Sequence, residues 1–333
     1  MQCRPGWKPG QNTYQGRASE AGSHPVGCYS GHNTLQGFFT AVKRSLKIHA
    51  PAKINLGLLI TGIRSDGFHS IESVFSLITL SDELTVELET EGTGTTLHCS
   101  GIPSPENQSN LVWKAAELFR ERTGLKGQIT ISLHKNIPSP GGLGGGSSDA
   151  AAVIKALGRL SATESGITGE ELGSDVPFFL SGLGTALVKG RGENIQSINI
   201  PAFHSVLVDC GENIPTPEAY RLWDEEQEHL TNQGRINNYT ALNCGVWHEG
   251  KPFPVNLDNH FLPVLARRFP GVKRAVEELG KTGTSRGLSG SGPVFFALFR
   301  TESAAKEAEE HLCGKYPWVF RCRSGHIGAS SNG

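Results

Sequence analysis

The sequence predicts an α+β protein with two domains, and three observations favour that class. With 333 residues, the chain is long enough for two cores of ordinary size. Apolar residues alternate with polar ones in several short runs, as in half-buried strands, and recur at helical spacing in others. Two tracts rich in glycine and serine each lie beside a strand pattern. We therefore expect an extension at 1–46, domains at 47–198 and 199–325, and a tail at 326–333.

Residues 138–148, the glycine tract, have the composition of a loop that binds phosphate. A strand pattern over 128–135 precedes the tract, and a helical pattern over 148–160 follows it. Glycines let several backbone N–H groups converge on an anion, and a helix start adds the positive end of its dipole. We expect Ser147 or Ser148 to cap that helix. The candidate ligands are Pro138, Ser139, Pro140, Gly141, Gly142, Leu143, Gly144, Gly145, Gly146, Ser147 and Ser148.

The spacing of the tract excludes two familiar nucleotide loops. Its glycines do not satisfy the dinucleotide-binding pattern G-x-G-x-x-G. Gly141 and Gly146 have the spacing of a Walker A loop, but Ser147 stands where that loop has lysine. The cation must then come from elsewhere, and Lys135, at the end of the preceding strand, is placed to supply it. The alternative is a flexible linker, which the flanking strand and helix patterns disfavour.

The first strand pattern carries a second group of candidate residues. Over residues 52–60 apolar side chains alternate with others, so Lys53 and Asn55 project from the face opposite the apolar one. Two polar groups together near a glycine favour a binding site, although a lysine on an edge strand often only improves solubility. Phe68 and His69 follow a predicted turn, where side chains can reach a ligand.

The remaining elements are predicted from the same periodicities. Strands are expected near residues 74–80, 84–88, 184–188, 206–209, 294–299 and 319–322. Helices are expected after the N-cap candidates Asn110 and Thr216 and near 261–269, 272–279 and 302–312. A second glycine and serine loop is expected at 287–293 between helix and strand, a variable loop at 224–252, and at most one short helix at 161–172.

Composition excludes several classes of partner. A net charge of -1 attracts neither nucleic acid nor an anionic membrane, and no apolar run approaches the ~18 residues of a membrane span. The seven cysteines are scattered without a Cys-x-x-Cys pair, which predicts a reduced compartment such as the cytoplasm, with neither a disulfide framework nor a zinc site. Residues 1–46 are poor in acids and periodicity, and are interpreted as disordered, as a plastid transit peptide or as the product of a misassigned start.

Three short blocks occur in an order that resembles one family. They are Ala-Pro-Ala-Lys-Ile-Asn-Leu at 50–56, Gly-Leu-Gly-Gly-Gly-Ser-Ser-Asp-Ala-Ala at 142–151, and Leu-Ser-Gly-Ser-Gly-Pro at 288–293. Over about residues 48–299 the chain resembles the GHMP kinases. The three blocks together are highly specific, although any one block alone is weak evidence for this resemblance. The form of the second block resembles the branch that phosphorylates a cytidine-diphosphate-linked methylerythritol for non-mevalonate isoprenoid synthesis. Further agreement with that branch is found at 64–69, 173–177 and 214–217.

The resemblance implies a nucleotide-binding N-terminal domain, a ferredoxin-like C-terminal domain, and phosphoryl transfer from ATP. Asp175 would accept the proton of the substrate hydroxyl, with Lys53 beside it to hold the carboxylate ionised. The glycine tract would hold the ATP phosphates, and Asn110, Leu111 and Lys135 would lie near the adenine, the ribose or the phosphates. Mg²⁺ is implied by the ATP chemistry, without a dedicated carboxylate cage.

The same resemblance implies how the small-molecule substrate is held. Asn55 and His69 would face it, Phe68 and Tyr220 would stack on the two faces of its cytosine ring, and Thr216 would lie beside them. Phosphate would be transferred to its 2-hydroxyl. We expect the protein to act as a monomer or a weak homodimer.

Three departures from the family pattern leave alternatives open. Phe68 stands where tyrosine is commoner, and Pro140 replaces glycine or alanine and so removes one N–H donor. The connector between the tract's helix and Asp175 is several residues shorter than usual. A displacement of about 1 Å in the position of a catalytic base can lower the rate about a hundredfold. The alternatives are another small-molecule kinase of the superfamily, or a member that binds nucleotide without catalysis.

Overall fold

The structure is a computed structural model that describes residues 42–231, 257–282 and 284–325. Its N-terminal part contains the strands β1 (Lys43–Ile63), β2 (His69–Glu89), β3 (Thr93–Gly101), β4 (Gly127–Lys135), β5 (Thr185–Gly190) and β6 (Asn194–Ser197). The helices of this part are α1 (Leu111–Thr123), α2 (Gly145–Ser161) and α3 (Val176–Ser181). The strands form one sheet in the order β3-β4-β2-β5-β6, and β1 pairs with β2.

A long antiparallel hairpin of β1 and β2 is the frame of this sheet. The strands predicted at 74–80 and 84–88 are one strand, so the predicted break between them is wrong. β2 pairs with β5 over residues 71–76 and with β4 over 83–89, and it continues without interruption from one partner to the other. β1 likewise begins at Lys43, before the predicted boundary at 47.

The C-terminal part forms a second sheet. Its elements are β7 (His204–Asp209), α4 (Thr216–Thr231), α5 (Phe261–Arg268), α6 (Pro270–Gly280), β8 (Ser285–Leu288), β9 (Val294–Phe299), α7 (Glu302–Leu312) and β10 (Trp318–Arg323). The strands are antiparallel in the order β10-β7-β9-β8, which is the ferredoxin-like arrangement that the resemblance implied.

Two predictions for this part need correction. Helix α4 continues to Thr231, so the loop predicted at 224–252 is wrong at its start, and its remainder lies outside the described residues. The second glycine and serine tract follows β8, so residues 289–293 form a turn between two strands rather than a link from helix to strand. We refer to 289–293 as the hairpin turn.

A shared apolar cluster joins the two parts of the molecule. Ile54 and Leu56 of β1 belong to the same buried cluster as Phe203, Leu207 and Phe296 of the second part. Separate clusters lie between the first sheet and α1 and α2, and between the second sheet and α4 to α7. Asn55 of β1 also contacts the second part, because its Oδ1 accepts from Ser289 Oγ at 3.4 Å, so this stretch of β1 lies at the junction between the two.

Two further findings bear on the expectations from composition. In the ranges that the structure describes, no helix is both long and apolar enough to cross a membrane. Cys99, Cys210 and Cys322 are free thiols, whereas Cys313 is disulfide-bonded. The cysteines therefore differ from the expected fully reduced set at Cys313.

Candidate active site

A cleft of about 650 Å³ lies at the junction of the two parts. The structure brings together here side chains from β1, the turn before β2, the start of α3, and α4, although they are far apart in sequence. The lining includes Lys53, Asn55, Phe68, His69, Gly142, Ser147, Asp175, Arg191, Thr216, Tyr220, Asp224 and Ser291. All the residues predicted to be catalytic or to bind substrate are in this list.

Lys53 and Asp175 form an ion pair at the base of the cleft. The Lys53 side chain is buried, and its Nζ lies 3.3 Å from Asp175 Oδ2 and 4.6 Å from the centroid of the Phe75 ring. Lys53 Nζ also donates to Asn55 Oδ1 at 2.7 Å, and Asn55 Nδ2 donates to Ser73 Oγ at 2.9 Å. This chain of hydrogen bonds holds the ammonium group in one position, so it is available as a fixed charge.

The carboxylate of Asp175 is available to the cleft. Asp175 occupies the N-cap position of α3, but its side chain makes no capping hydrogen bond, and 27% of it is exposed. The connector before it contains turns, with Gly173 N donating to Gly169 O at 3.2 Å and Val176 N to Gly173 O at 3.1 Å. The shorter connector therefore leaves Asp175 in contact with Lys53.

The glycine tract leads into an uncapped helix start. Helix α2 begins at Gly145 behind an N-cap residue, Gly144, with a left-handed φ of +69° and no side-chain cap. The prediction that Ser147 or Ser148 caps the helix is wrong, because the helix begins earlier and Ser148 Oγ donates to Pro51 O at 2.7 Å instead. The first N–H groups of α2 have no acceptor within the helix, and this end of α2 lies at the cleft, where Ser147 is part of the lining. Such a terminus binds anions.

Lys135 lies beneath this helix start and is enclosed by two acids. Its Nζ donates to Asp82 and, at 2.7 Å, to Asp149. Burial opposes the charge of Lys135, but the two carboxylates outweigh it and raise its pKa. A Cβ on Gly145 would lie 3.2 Å from Lys135 Nζ, which places the ammonium directly under the tract. The contact of Lys135 with ATP stays a prediction.

Asn110 and Leu111 lie at the other side of the tract. Asn110 caps α1 as predicted, because its Oδ1 accepts from Val112 N at 3.0 Å and its Nδ2 donates to Pro105 O at 2.7 Å. A Cβ on Gly146 would lie 3.6 Å from Leu111 Cδ1, so the start of α1 adjoins the start of α2. Their predicted proximity to the nucleotide is consistent with this placement and stays a prediction.

The far end of the cleft is aromatic. The His69 ring stacks on Tyr220 at 4.6 Å between centroids, and His69 Nε2 lies 2.8 Å from Asp224 Oδ1. Burial, together with the charges of Asp175 and Asp224, raises the pKa of Tyr220 to about 12. Phe68 is half exposed, and the guanidinium of Arg191 lies 3.9 Å from its ring centroid. One face of each predicted stacking ring is therefore covered by the protein itself, and the sandwich stays a prediction.

The hairpin turn closes the cleft from the second part. Ser289 Oγ donates to Gly142 O at 2.8 Å, so the two glycine-containing loops touch. Thr216 Oγ1 lies 2.9 Å from Ser291 Oγ, which ties the start of α4 to the same turn. The predicted substrate residue Thr216 thus lies where the turn and α4 meet.

Sequence reasoning missed Asp224, Arg191 and Asn259. Asp224 is placed four residues after Tyr220 on one helix face, a spacing that could have indicated their common position. Arg191 lies between β5 and β6, and no motif in the sequence marks it. Asn259, which bonds the backbone on both sides of Ser289, follows a stretch without periodicity, and nothing in its neighbourhood distinguished it.

Comparison with known proteins agrees with this fold. The family described as GHMP kinases N terminal domain matches residues 110–182, and the family described as GHMP kinases C terminal matches residues 253–317. A solved homoserine kinase from Cytophaga hutchinsonii ATCC 33406 shares the fold, with a TM-score of 0.58 at 18% identity over 86% of this chain and 96% of that one. The chain is thus a GHMP kinase by class.

More similar relatives define the family within that class. A 4-diphosphocytidyl-2-C-methyl-D-erythritol kinase from Chlorobium phaeobacteroides (strain BS1) is 39% identical over 279 residues, which cover 80% of this chain and 95% of the relative. The enzyme of that name from Xanthomonas euvesicatoria pv. vesicatoria (strain 85-10) is 37% identical, covering 81% and 88%. A crystal structure of 4-(cytidine 5'-diphospho)-2C-methyl-D-erythritol kinase has a TM-score of 0.68 at 32% identity, covering 84% and 99%. The chain belongs to the 4-diphosphocytidyl-2-C-methyl-D-erythritol kinase family.

Proposed function

We propose that this protein uses ATP to phosphorylate the 2-hydroxyl of 4-diphosphocytidyl-2-C-methyl-D-erythritol, a step of the non-mevalonate route to isoprenoid precursors. The observation that carries the proposal is the Lys53–Asp175 pair, 3.3 Å apart, in a cleft that also receives the uncapped start of α2. Phosphoryl transfer needs an acceptor for the hydroxyl proton, positive charge near the reacting oxygens, and a cradle for the phosphates. This cleft supplies all three.

Each residue of the pair has a defined part in the reaction. The Asp175 carboxylate takes the proton of the substrate hydroxyl as the oxygen forms its bond to the γ-phosphorus and the bond from that phosphorus to the bridging oxygen breaks, releasing ADP. The Lys53 ammonium stabilises the negative charge that develops on the attacking oxygen. Asn55 and Ser73 hold Lys53 in place, which matters because most of the rate enhancement comes from positioning.

The nucleotide is expected to bind along the glycine tract. The backbone N–H groups of residues 145–147 lie ahead of the first hydrogen bond of α2, which Ser148 N makes to Gly144 O at 2.9 Å. These groups and the helix dipole fit the phosphates of ATP, and no side chain competes for them as a cap. Pro140, which removes one donor, precedes this group of N–H donors.

The residues that the structure describes do not form a carboxylate cage for Mg²⁺. Within the described ranges, no three His, Cys, Asp or Glu side chains are grouped so as to hold a metal ion. Asp175 is paired with Lys53, and Asp149 with Lys135. Mg²⁺ that accompanies ATP is therefore expected to be held chiefly by the phosphates, and the steps above depend on the protein's own groups.

Replacement of the proposed base tests the function. We expect Asp175→Asn to lower turnover by about 10²- to 10⁴-fold, because proton transfer by a positioned base contributes that much. ATP binding should persist, since the amide keeps the shape of the side chain. The measurement is ³¹P NMR of the phosphorylated product, beside ATP titration by calorimetry.

Glu87→Gln is the matched control, because Glu87 is a carboxylate on β2 that pairs with Lys43 outside the cleft. This variant should phosphorylate at the wild-type rate. Folded wild-type protein that binds ATP but makes no phosphorylated product would refute the proposed function. Full turnover by Asp175→Asn would refute the role of Asp175.

A further inference from the structure

Arg191 occupies the cleft between its aromatic end and the catalytic pair. It lies in the turn between β5 and β6, and it lines the cleft together with Phe68 and Asp175. Its guanidinium lies over the Phe68 ring, 3.9 Å from the centroid. An arginine on an aromatic face keeps its fork of N–H donors free at the edge.

The turn that carries Arg191 is tightly built. The Glu193 carboxylate accepts from Arg191 N at 2.5 Å and from Gly192 N at 3.0 Å, and Arg64 Nη1 donates to it at 3.2 Å. Gly192 has a φ of +139°, and a Cβ there would lie 1.9 Å from Ser174 O. The backbone of this turn therefore packs directly on the residue before Asp175, so the distance from Arg191 to the catalytic pair is set by rigid contacts.

Arg191 differs from the other basic side chains of the cleft in forming no ion pair with a described residue, although, beside a backbone hydrogen bond, its charge helps to lower the pKa of the nearby Asp66. Lys53 is paired with Asp175, and Arg221 with Glu218 and Glu225. Among the residues that the structure describes, no carboxylate lies within ion-pair distance of Arg191, and its Nε is buried without a hydrogen-bond partner. The charge of the guanidinium is therefore not neutralised by an ion pair in this part of the chain, and an anion in the cleft can pair with it.

We propose that Arg191 binds the diphosphate of the nucleotide-linked substrate, an assignment that rests on the proposed function. The substrate carries its base at one end and the reacting hydroxyl at the other, with the diphosphate between them. Phe68 and His69 mark the base end, and Asp175 marks the hydroxyl end. Arg191 touches Phe68, and the next residue, Gly192, packs on Ser174, so Arg191 lies along the stretch that the diphosphate must occupy. Guanidinium groups bind phosphate oxygens bidentately, and Phe68 fixes the plane of this one.

Cytidine and cytidine diphosphate separate a contact to the diphosphate from a contact to the base. Calorimetric titrations with both are made on the full chain as wild type, Arg191→Ala and Lys189→Ala. We expect Arg191→Ala to weaken diphosphate binding by about ten- to a hundredfold, the loss typical of a charge-assisted hydrogen-bonded pair, and to leave cytidine binding unchanged. The KM for the complete substrate should rise in parallel, with the KM for ATP unchanged.

Lys189→Ala is the matched control. It removes one positive charge two residues away, from a side chain that is half exposed and paired with Glu72 outside the cleft, and it should bind both ligands as the wild type does. Arg191→Lys, which keeps the charge without the fork, should recover part of the affinity.

Two outcomes would overturn the assignment, provided that Arg191→Ala is folded and has wild-type thermal stability. Equal losses for cytidine and cytidine diphosphate would mean that Arg191 serves the base through Phe68. Unchanged affinity for both would mean that Arg191 does not touch the substrate. A wild-type protein that binds neither ligand and phosphorylates nothing would instead refute the proposed function, and the role of Arg191 with it.

Discussion

The acids around Lys135 determine the charge beneath the glycine tract. Asp82 is fully buried and accepts from the N–H groups of Asn136 and Ile137, at 2.5 and 2.9 Å, besides binding Lys135. Asp149 shares the same ammonium group, and its Oδ1 is buried without a partner. Burial raises the pKa of Asp149 well above its ordinary value; Lys135 opposes that shift and Asp82 adds to it. We infer that Asp82 holds the residues just before the tract and that Asp149 takes up its proton at a higher pH in the folded protein than an ordinary aspartate does.

Asp149 should therefore make folding stability depend on pH. A carboxyl whose pKa is higher in the folded state contributes stability that is complete below its unfolded value and is lost as pH rises through the folded value. Asp149→Asn cannot lose a proton, so its thermal stability relative to the wild type should increase as pH rises from about 5 to about 8. Thermal unfolding of both proteins across that range measures the difference.

Comparing Asp149→Asn with the wild type isolates the effect of Asp149, because every other titratable residue is present in both proteins. Asp209→Asn is a positive control, because burial also raises the pKa of Asp209, which lies on β7 away from Lys135. Its stability relative to the wild type should change with pH in the same direction. A constant difference in melting temperature between wild type and Asp149→Asn would contradict the inferred protonation of Asp149.

The contact between the glycine tract and the hairpin turn is the closest approach of the two loops that frame the cleft. Gly142 has a left-handed φ of +66°, and a Cβ there would lie 2.0 Å from Ser289 O. Gly142 O in turn accepts from Ser289 Oγ. Glycine is needed at this position because the backbone is left-handed and because there is no space for a Cβ atom. This contact therefore fixes the position of the two loops relative to each other.

Gly142→Ala should separate these loops. The left-handed conformation costs about 1–2 kcal/mol for alanine and overpacking typically adds 1–3 kcal/mol, so we expect a loss of about 2–5 kcal/mol in the free energy of unfolding. The rate of phosphorylation should fall by more than the loss of folded protein explains. The reason is that the tract is bonded to the residue proposed to act in catalysis, since Lys53 N donates to Leu143 O. Urea unfolding and steady-state kinetics provide the two measurements.

Gly124→Ala provides the control for backbone strain. Gly124 ends α1 with a φ of +68°, and a Cβ there would meet nothing within 4 Å. It should lose about 1–2 kcal/mol and keep wild-type kinetics. Equal losses of activity in the two variants would show that strain, rather than the contact with Ser289, accounts for the effect.

The two parts of the molecule are joined by a short segment that pairs with β1. Leu58 N donates to Asp258 O at 2.8 Å, and His260 N donates to Leu58 O at 3.0 Å. Between them, Asn259 is buried, and its Nδ2 donates to Leu288 O and to Gly290 O, both at 2.9 Å. The segment is thus bonded through its backbone to the strand that carries Lys53, and through the Asn259 side chain to the hairpin turn that faces the glycine tract.

Asn259→Ala should loosen the junction. It leaves two buried carbonyl groups without a donor, and each unsatisfied group costs about 1–3 kcal/mol, so we expect about 2–4 kcal/mol of destabilisation after relaxation. The turnover number should fall as well, because the hairpin turn loses its support. Asn194→Ala, at an exposed position of β6, should stay within about 0.5 kcal/mol of wild type. Wild-type stability of Asn259→Ala would contradict the role given to these bonds.

Elements whose signals are local were predicted well. Helix α7 has the predicted bounds of 302–312, and Asn110 caps α1 as expected, because a polar cap and helical spacing need no distant partner. The polar residues near 81–83 separate two predicted strands, 74–80 and 84–88. They continue β2 instead, because Asp82 is satisfied by backbone N–H groups from residues 136–137, which are distant in sequence.

The class of fold, the glycine tract and the candidates Lys53 and His69 follow from residue type and spacing along the chain, whereas Asp175 became a candidate through the resemblance to the GHMP kinases. Only the tertiary structure brings Lys53 to Asp175, encloses Lys135 between acids, and leaves Arg191 in the cleft without an ion pair to any residue that the structure describes. The physical reason is that charge balance and burial depend on distances in space between residues many positions apart. Such distances are set when the two sheets pack together, and no local pattern records them.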